Sequence, residues 1–304
     1  MTTIDLIGDP DDPQPVPTAR KRKPEWLKVR LPSGESYENV LGEVRRLQLH
    51  TVCQEAMCPN LGECWGAGTA TIMILGDTCT RGCHFCNVKT GSPKGEVDWL
   101  EPKRVAAAVA ELGWKYLVLT AVDRDDLADG GAAIFANTVR AIHKSVPDAK
   151  VECLTGDFAG DLAALDIVLD AQPEVLAHNL ETVDRLQATV RDRRANYRQS
   201  LSILDHAKRS GKVTYTKTSL MLGLGETEDE IAQTMDDARA IGVDIFTMGQ
   251  YLQPTQRHLV VQEFVTPDKF ARLKAVGDAK GFVQVVSSPL SRSSYHAEQA
   301  FTHR

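Results

Sequence analysis

Beyond residue 70 the chain alternates short apolar runs with longer stretches whose apolar residues return every three or four positions. The first pattern predicts buried strands and the second predicts helices laid against them. Strands are expected at Thr71–Leu75, Tyr116–Thr120, Lys150–Leu154, Val175–His178, Val213–Ser219, Asp244–Met248 and Phe282–Val286. Between them, helices are expected at Glu101–Leu112, Ala132–Lys144, Asp161–Asp170, twice within 182–209, at Glu226–Ile241 and at Pro267–Lys280. Local punctuation agrees. Pro102 sits near one helix start and Gly113 just past its end. Thr227 and Glu230 stand at capping-box spacing, and Thr266 suits an N-cap. Strands alternating with helices imply right-handed βαβ units and a parallel sheet. Six or seven units suit a partial or full β/α barrel, with an open doubly wound sheet as the competitor. Either way the chemistry belongs at the C-terminal ends of the strands.

The segment before residue 71 reads differently. Residues 38–49 have a helical pattern, whereas 50–70 have little periodicity and read as a loop. Residues 1–24 are Pro- and Asp-rich and then basic at Arg20–Lys23, which suits a flexible, solvated arm. The acids Asp5, Asp9, Asp11 and Asp12 do not suit a presequence. No run approaches the ~20 apolar residues of a bilayer span, so the expected location is cytoplasmic, with no membrane partner. Across 304 residues the chain carries 35 basic and 41 acidic side chains, a formal net charge of −6. That disfavours a nucleic-acid partner, which would call for a basic surface.

Seven cysteines are too few for a disulfide scaffold, and six of them crowd between Cys53 and Cys86. Such clustering points to metal chemistry in a reducing compartment. Cys79, Cys83 and Cys86 form a C-x3-C-x2-C run that begins four residues after the first strand. Three thiolates can hold three irons of a four-iron cluster and leave the fourth open. A zinc site is the main alternative on spacing alone. Upstream, Cys53, Cys58 and Cys64 accompany Pro59 and Gly62 without an apolar period, which favours ligation over a core role. Cys153 stands alone in a strand and reads as a small buried hydrophobe.

The C-x3-C-x2-C loop after the first strand resembles the radical S-adenosylmethionine (SAM) superfamily. The upstream trio narrows the likeness to the lipoyl synthase family. It does so together with Ala70–Gly76, Val122–Leu127, Asp129–Gly131, His178–Glu181 and Arg292-Ser-Ser-Tyr295. The likeness runs from about Lys23 to Ala297. It implies an α/β chain built on a partial (β/α)6 TIM-type barrel over 71–286. An extension over 25–70 would carry an auxiliary cluster loop, and a tail over 287–304 would carry the Arg-Ser-Ser-Tyr motif. Cys79, Cys83 and Cys86 would hold the [4Fe–4S] cluster that binds SAM and releases a 5′-deoxyadenosyl radical. Cys53, Cys58 and Cys64 would hold an auxiliary [4Fe–4S] cluster, with Ser294 as its fourth ligand and Ser293 as the second choice. The activity implied is insertion of sulfur at C6 and C8 of a protein-bound octanoyl-lysine, with sulfide drawn from the auxiliary cluster.

The same resemblance assigns the SAM contacts. Asn179 and Glu181 would meet the ribose, Arg191 the carboxylate, and Gly223 and Gly225 the adenosine. Asp192 departs from the family pattern, which has proline there. The implied partners are octanoylated lipoyl domains of 2-oxo acid dehydrogenase acyltransferase subunits and the glycine cleavage H protein. An electron donor such as ferredoxin or flavodoxin and a carrier that rebuilds the auxiliary cluster are implied too. A tRNA methylthiotransferase or a plain iron–sulfur carrier are the rival readings.

Overall fold

Seven parallel strands follow one another across the sheet in chain order: β1 (Thr71–Ile74), β2 (Tyr116–Ala121), β3 (Lys150–Leu154), β4 (Val175–Ala177), β5 (Tyr215–Leu222), β6 (Ile245–Gln250) and β7 (Gln284–Ser287). This is a computed structural model, and it describes residues 22–29, 33–67 and 69–292. A doubly wound sheet reverses its strand order at a switch point. The order here never reverses, which is the winding of a β/α barrel with six βα units and a seventh strand.

One helix follows each of the first six strands, or the longest of several: α2 (Glu101–Leu112), α3 (Ala132–Ser145), α4 (Leu162–Leu169), α5 (Tyr197–Ser210), α6 (Glu228–Ala240) and α7 (Pro267–Ala279). Their ends match their sequence signals. Gly113 closes α2 in the left-handed conformation at φ 65°, where a side chain would be strained. Thr227 and Glu230 form the reciprocal capping box of α6, and the Thr266 hydroxyl accepts the Lys269 N–H at the start of α7.

Period-two alternation sorts each strand. Leu117, Leu119, Val151, Cys153 and Leu176 join the core under the earlier helices, as do Leu220, Leu222, Phe246 and Met248 under α6 and α7. Cys153 is wholly buried, the core role its sequence suggested. Glu152 falls on the opposite, inner face, between Val151 and Cys153. Both its carboxylate oxygens accept from Lys217 Nζ at 3.0 Å, and the Tyr116 hydroxyl donates to it at 2.6 Å. A buried charge is tolerable only when paired and hydrogen-bonded in this way.

Upstream of the barrel, the expected helix over 38–49 lies three residues earlier, as α1 (Glu35–Arg46). The segment 50–70 is not the loop that its pattern suggested. His50–Thr51 pairs antiparallel with β1, and short helices form at Val52–Glu55 and Leu61–Gly66. Thr51 caps the first of them by accepting the Gln54 N–H. Turns this short show no apolar period, so only the cap could have revealed them. Strand β5 also starts later and β7 later than expected, at Tyr215 and Gln284. Of the basic arm, Lys21 and Arg30 lie outside the described residues, and exposed Lys28 pairs with Glu25 at 2.6 Å.

Candidate active site

Strand β1 ends in a reversal in which Leu75 and Gly76 both adopt positive φ, 68° and 86°. The chain then enters a two-stranded ribbon, Thr78–Cys79 against Lys89–Thr90, that pinches off the C-x3-C-x2-C loop. Each of the three sulfurs receives at least one backbone N–H, and Cys79 receives a second from Asp123. Arg81 N–H donates to Cys79 Sγ at 3.4 Å, and Asp192 N–H to Cys83 Sγ at 3.2 Å. Val88 N–H serves Cys86. Burial raises all three thiols, Cys83 to about 12 and Cys86 to about 11. Thiols so placed hold their protons at neutral pH until a cation displaces them.

The loop is anchored by Arg81, whose side chain is 2% exposed. Its guanidinium pairs with Asp125 and Asp157 at 2.7 Å and reaches Asp123 at 3.8 Å. Burial lifts Asp123 to about 6 against the pull of Arg81, and its Oδ2 lies 4.0 Å from Cys79 Sγ. His258 Nε2 bonds the Cys86 carbonyl at 2.9 Å, while the Thr255 N–H reaches His258 Nδ1. A carbonyl only accepts, so the proton sits on Nε2. Sequence reasoning missed Arg81, Asp123 and His258 as site residues. The acid-rich Val122–Leu127 segment, flagged only as a motif, was the available signal.

Beyond β4 lie the residues expected to contact SAM. Asn179 Nδ2 donates to Glu181 Oε1 at 3.1 Å, and burial pushes the Glu181 carboxyl up, opposed by Arg191. Arg191 Nη1 donates to Ser200 Oγ at 2.7 Å and Gln187 Oε1 at 3.2 Å. His178 bonds the Thr155 carbonyl through Nδ1 and Ser200 Oγ through Nε2, both at 2.9 Å. Among the described residues, Asn179 Oδ1 and Thr155 Oγ1 are buried without a hydrogen-bond partner, so this corner suits a polar ligand that donates. The glycine turn is partly committed. Gly223 and Leu224 N–H both go to the Glu226 carboxylate. A Cβ at Gly223 would lie 2.3 Å from the Glu263 carbonyl oxygen, so packing alone requires glycine there.

Burial, and then the nearby Arg191 charge, hold His178 down at about 4 against an ordinary 6.5. The unfolded chain therefore takes up a proton between those values that the native state refuses. Stability from this group is complete above pH 6.5 and is lost as pH falls to 4, a change of about 3 kcal/mol. Urea unfolding of the apoprotein should fall by that amount more steeply in the native sequence than in His178→Gln. Parallel pH profiles for the two would refute a neutral buried imidazole.

The second trio lies toward the start of β1. Cys53 accepts a hydrogen bond from the Thr71 backbone, while burial raises its thiol. Cys53, Cys58 and Cys64 line a cavity of about 510 Å³ together with Tyr116, Val118 and Arg292. Arg292 is half-buried, desolvation lowers its pKa against the pull of Cys58, and its Nη1 donates to the Ser291 carbonyl at 2.6 Å. Among the described residues it has no carboxylate within ion-pairing distance. A half-buried guanidinium beside three thiols suits an anionic occupant. Asn60 Nδ2 donates to the Leu290 carbonyl at 2.7 Å and ties the trio's segment to the tail. Ser293 and Ser294 lie outside the described residues. Among the described residues, no three His, Cys, Asp or Glu side chains are grouped closely enough to share one metal ion. The two trios thus flank β1, whose four residues span roughly 13 Å.

Comparison with known proteins gives consistent matches. The model of the radical SAM superfamily matches residues 73–238, and that of the N-terminal domain of lipoyl synthase matches residues 14–58. A lipoyl synthase of Thermus thermophilus is 57% identical, covering 95% of this chain and 88% of the relative. One from Ectopseudomonas mendocina is 54% identical, covering 94% and 81%. The chloroplastic enzyme of Arabidopsis thaliana is also 54% identical, covering 92% and 72%. Among solved structures, HydG, a maturase of the [FeFe]-hydrogenase, aligns with TM-score 0.56 at 12% identity, over 83% of this chain and 64% of HydG. HemN from Escherichia coli, a radical SAM enzyme, aligns with TM-score 0.53 at 18% identity, over 69% and 52%. These last two speak to the fold alone.

Proposed function

Because the chain belongs to the lipoyl synthase family of radical SAM enzymes, we propose how its own residues divide the work of that reaction. The reaction is the radical SAM-dependent insertion of two sulfur atoms at C6 and C8 of an octanoyl-lysine on a lipoyl domain, with two [4Fe–4S] clusters and SAM as cofactors. The methylene hydrogens are unactivated, so bound SAM and its cluster supply the radical and the auxiliary cluster supplies the sulfur, which side-chain bases cannot do.

Cys79, Cys83 and Cys86 hold the cluster that binds SAM, a role supported by the N–H donor on each sulfur. Arg191 holds the SAM carboxylate, its guanidinium steadied by Ser200 and Gln187. Asn179 and Glu181 meet the ribose, and the unpartnered Asn179 Oδ1 supports that role. Gly223 and Gly225 offer the adenosine a surface free of side chains, since the N–H groups of Gly223 and Leu224 go to Glu226, the Gly223 carbonyl accepts from Gln262 N–H and the Gly225 carbonyl from Arg185. Cys53, Cys58 and Cys64 hold the auxiliary cluster, and Ser294 completes it. Arg292 supports this, because it lines the trio's cavity and two residues of chain reach at most ~7 Å.

The division into an arm (1–24), an auxiliary-cluster extension (25–70), a barrel (71–286) and a tail (287–304) follows from the same assignment. The carriers served are lipoyl domains of 2-oxo acid dehydrogenase acyltransferase subunits and the glycine cleavage H protein. Ferredoxin or flavodoxin is the reductant, and an iron–sulfur carrier restores the sulfur consumed. Thiols that must stay reduced to take iron suit a cytoplasmic location. Among the described residues no helix is long and apolar enough to cross a membrane.

The observation that carries this reading is the pair of thiol trios flanking one barrel strand, with a cavity leading from one of them to inner-face Tyr116 and Val118. Anaerobically reconstituted protein should bind about eight irons per chain. With SAM, a reductant and an octanoyl-lysine peptide it should form 5′-deoxyadenosine and lipoyl peptide. About four irons, or no 5′-deoxyadenosine, would overturn the assignment.

A further inference from the structure

We propose that Asp192 is a positioning residue that clamps the radical-cluster loop and, through its backbone N–H, raises the reduction potential of the cluster held by Cys83. The segment Thr189–Asp192 lies along residues 82–84 and is joined to them by four hydrogen bonds. Gly82 N–H donates to Asp192 Oδ2 at 2.9 Å, and Asp192 N–H donates to Cys83 Sγ at 3.2 Å. His84 N–H donates to the Val190 carbonyl at 3.0 Å, and His84 Nδ1 bonds the Thr189 carbonyl at 2.9 Å.

This contact matters because the cysteine loop has little regular structure of its own between its two ribbon strands. Cys86 draws its N–H donor from Val88, two residues on, while Cys79 draws on Arg81, two residues on, and also on Asp123 just past the end of β2. Cys83 draws its donor from 109 residues away. The Asp192 carboxylate is itself fixed. Its Oδ1 accepts from Arg194 N–H at 3.0 Å and Nε at 2.8 Å, and Arg194 Nη2 continues to the Thr80 carbonyl at 2.7 Å. The carboxylate's charge is thereby answered by Arg194, and what reaches the loop is an acceptor for Gly82.

An N–H aimed at a ligating sulfur stabilises the electron-rich reduced state, so it should make the potential less negative. The preceding residue, Arg191, is the one assigned above to the SAM carboxylate. One short segment would then face the cosubstrate with a side chain and the cluster with the next N–H.

The inference rests on Cys83 being a cluster ligand, and the experiment separates the two. The parent is the full chain with Cys53→Ala, Cys58→Ala and Cys64→Ala, so that about four irons remain at the radical site. Asp192→Asn keeps the N–H and an acceptor, Asp192→Ala keeps only the N–H, and Asp192→Pro removes both. Arg191 has extended φ and ψ of −100° and 165°, which a following proline accepts. Midpoint potentials come from redox titration followed by electron paramagnetic resonance. Iron release to a chelator measures the clamp. The proline variant should have a more negative midpoint than the alanine variant. The alanine variant should release iron several-fold faster than the asparagine variant. Equal midpoints would overturn the tuning role and equal release rates the clamp. Should proline unfold the protein, the alanine–asparagine pair decides both roles: losing the clamp in alanine should loosen the N–H on Cys83 and make the midpoint more negative than in asparagine, and equal midpoints in that pair would overturn the tuning role. A parent that takes up no iron would sink the ligand assignment, and this inference with it, before position 192 is changed.

Discussion

Replacing Cys83 with alanine should cut the iron content from about eight per chain to about four. It should also abolish 5′-deoxyadenosine and lipoyl formation alike, by at least about a thousandfold, a barrier increase above 4 kcal/mol. Three thiolates are the fewest that hold a four-iron cluster while leaving one iron open, and two cannot replace them. The loss should be chemical rather than structural. Cys83 is only partly buried, and its loop stays anchored by Arg81 on Asp125 and Asp157. Apoprotein melting should therefore move little, as for other changes away from the core. Cys153→Ala is the informative control. That thiol is wholly buried under helices, so its loss should lower stability and leave iron and turnover intact. A Cys83→Ala protein with full iron and normal 5′-deoxyadenosine would refute the assignment of the radical site.

The barrel was largely legible because its elements are long and periodic. The α2 helix spans Glu101–Leu112, as Pro102 and Gly113 indicate, and the order of strands follows from their alternation with helices. The cysteine spacing marked both trios, because thiols close together in sequence leave a local pattern. What stayed hidden was the scaffold around them, where the partners are remote in sequence. Asn60 meets Leu290, Asp192 meets Cys83, and Arg81 meets Asp157 only through tertiary folding. Nothing within a window of a dozen residues encodes such pairs. The His50–Thr51 edge and the short helices beyond it were lost for a different reason. Elements of two to six residues complete too little of a period to be read.

Changing Gly249 to alanine should leave 5′-deoxyadenosine formation within a few-fold of normal while lipoyl product falls by at least about a hundredfold, near 3 kcal/mol. Gly249 lies in β6 on the inner face, between outward Met248 and the strand end at Gln250. A Cβ there would stand 2.0 Å from the Ser291 carbonyl oxygen, 3.0 Å from its carbon and 3.1 Å from Arg292 Nη1. The first two are backbone atoms, so the tail itself must move. That tail is held by the Gln250 N–H on the Pro289 carbonyl and by Asn60 on Leu290. Displacing it withdraws Arg292 from the cavity of Cys53, Cys58 and Cys64, and with it the chain leading to Ser294. The radical site is built on other segments, those of β1, β2 and the 189–194 turn, and should keep cleaving SAM. Overpacking of this kind costs about 1–3 kcal/mol of stability, so a melting curve must accompany the assay to set aside simple unfolding. Ser294→Ala should reproduce the uncoupling without the steric change. If Gly249→Ala made lipoyl product at the normal rate, the tail's path over β6 would not be what completes the auxiliary site. If both products fell together in a protein that still melts normally, the two trios would not be the separable centres that their places on either side of β1 imply.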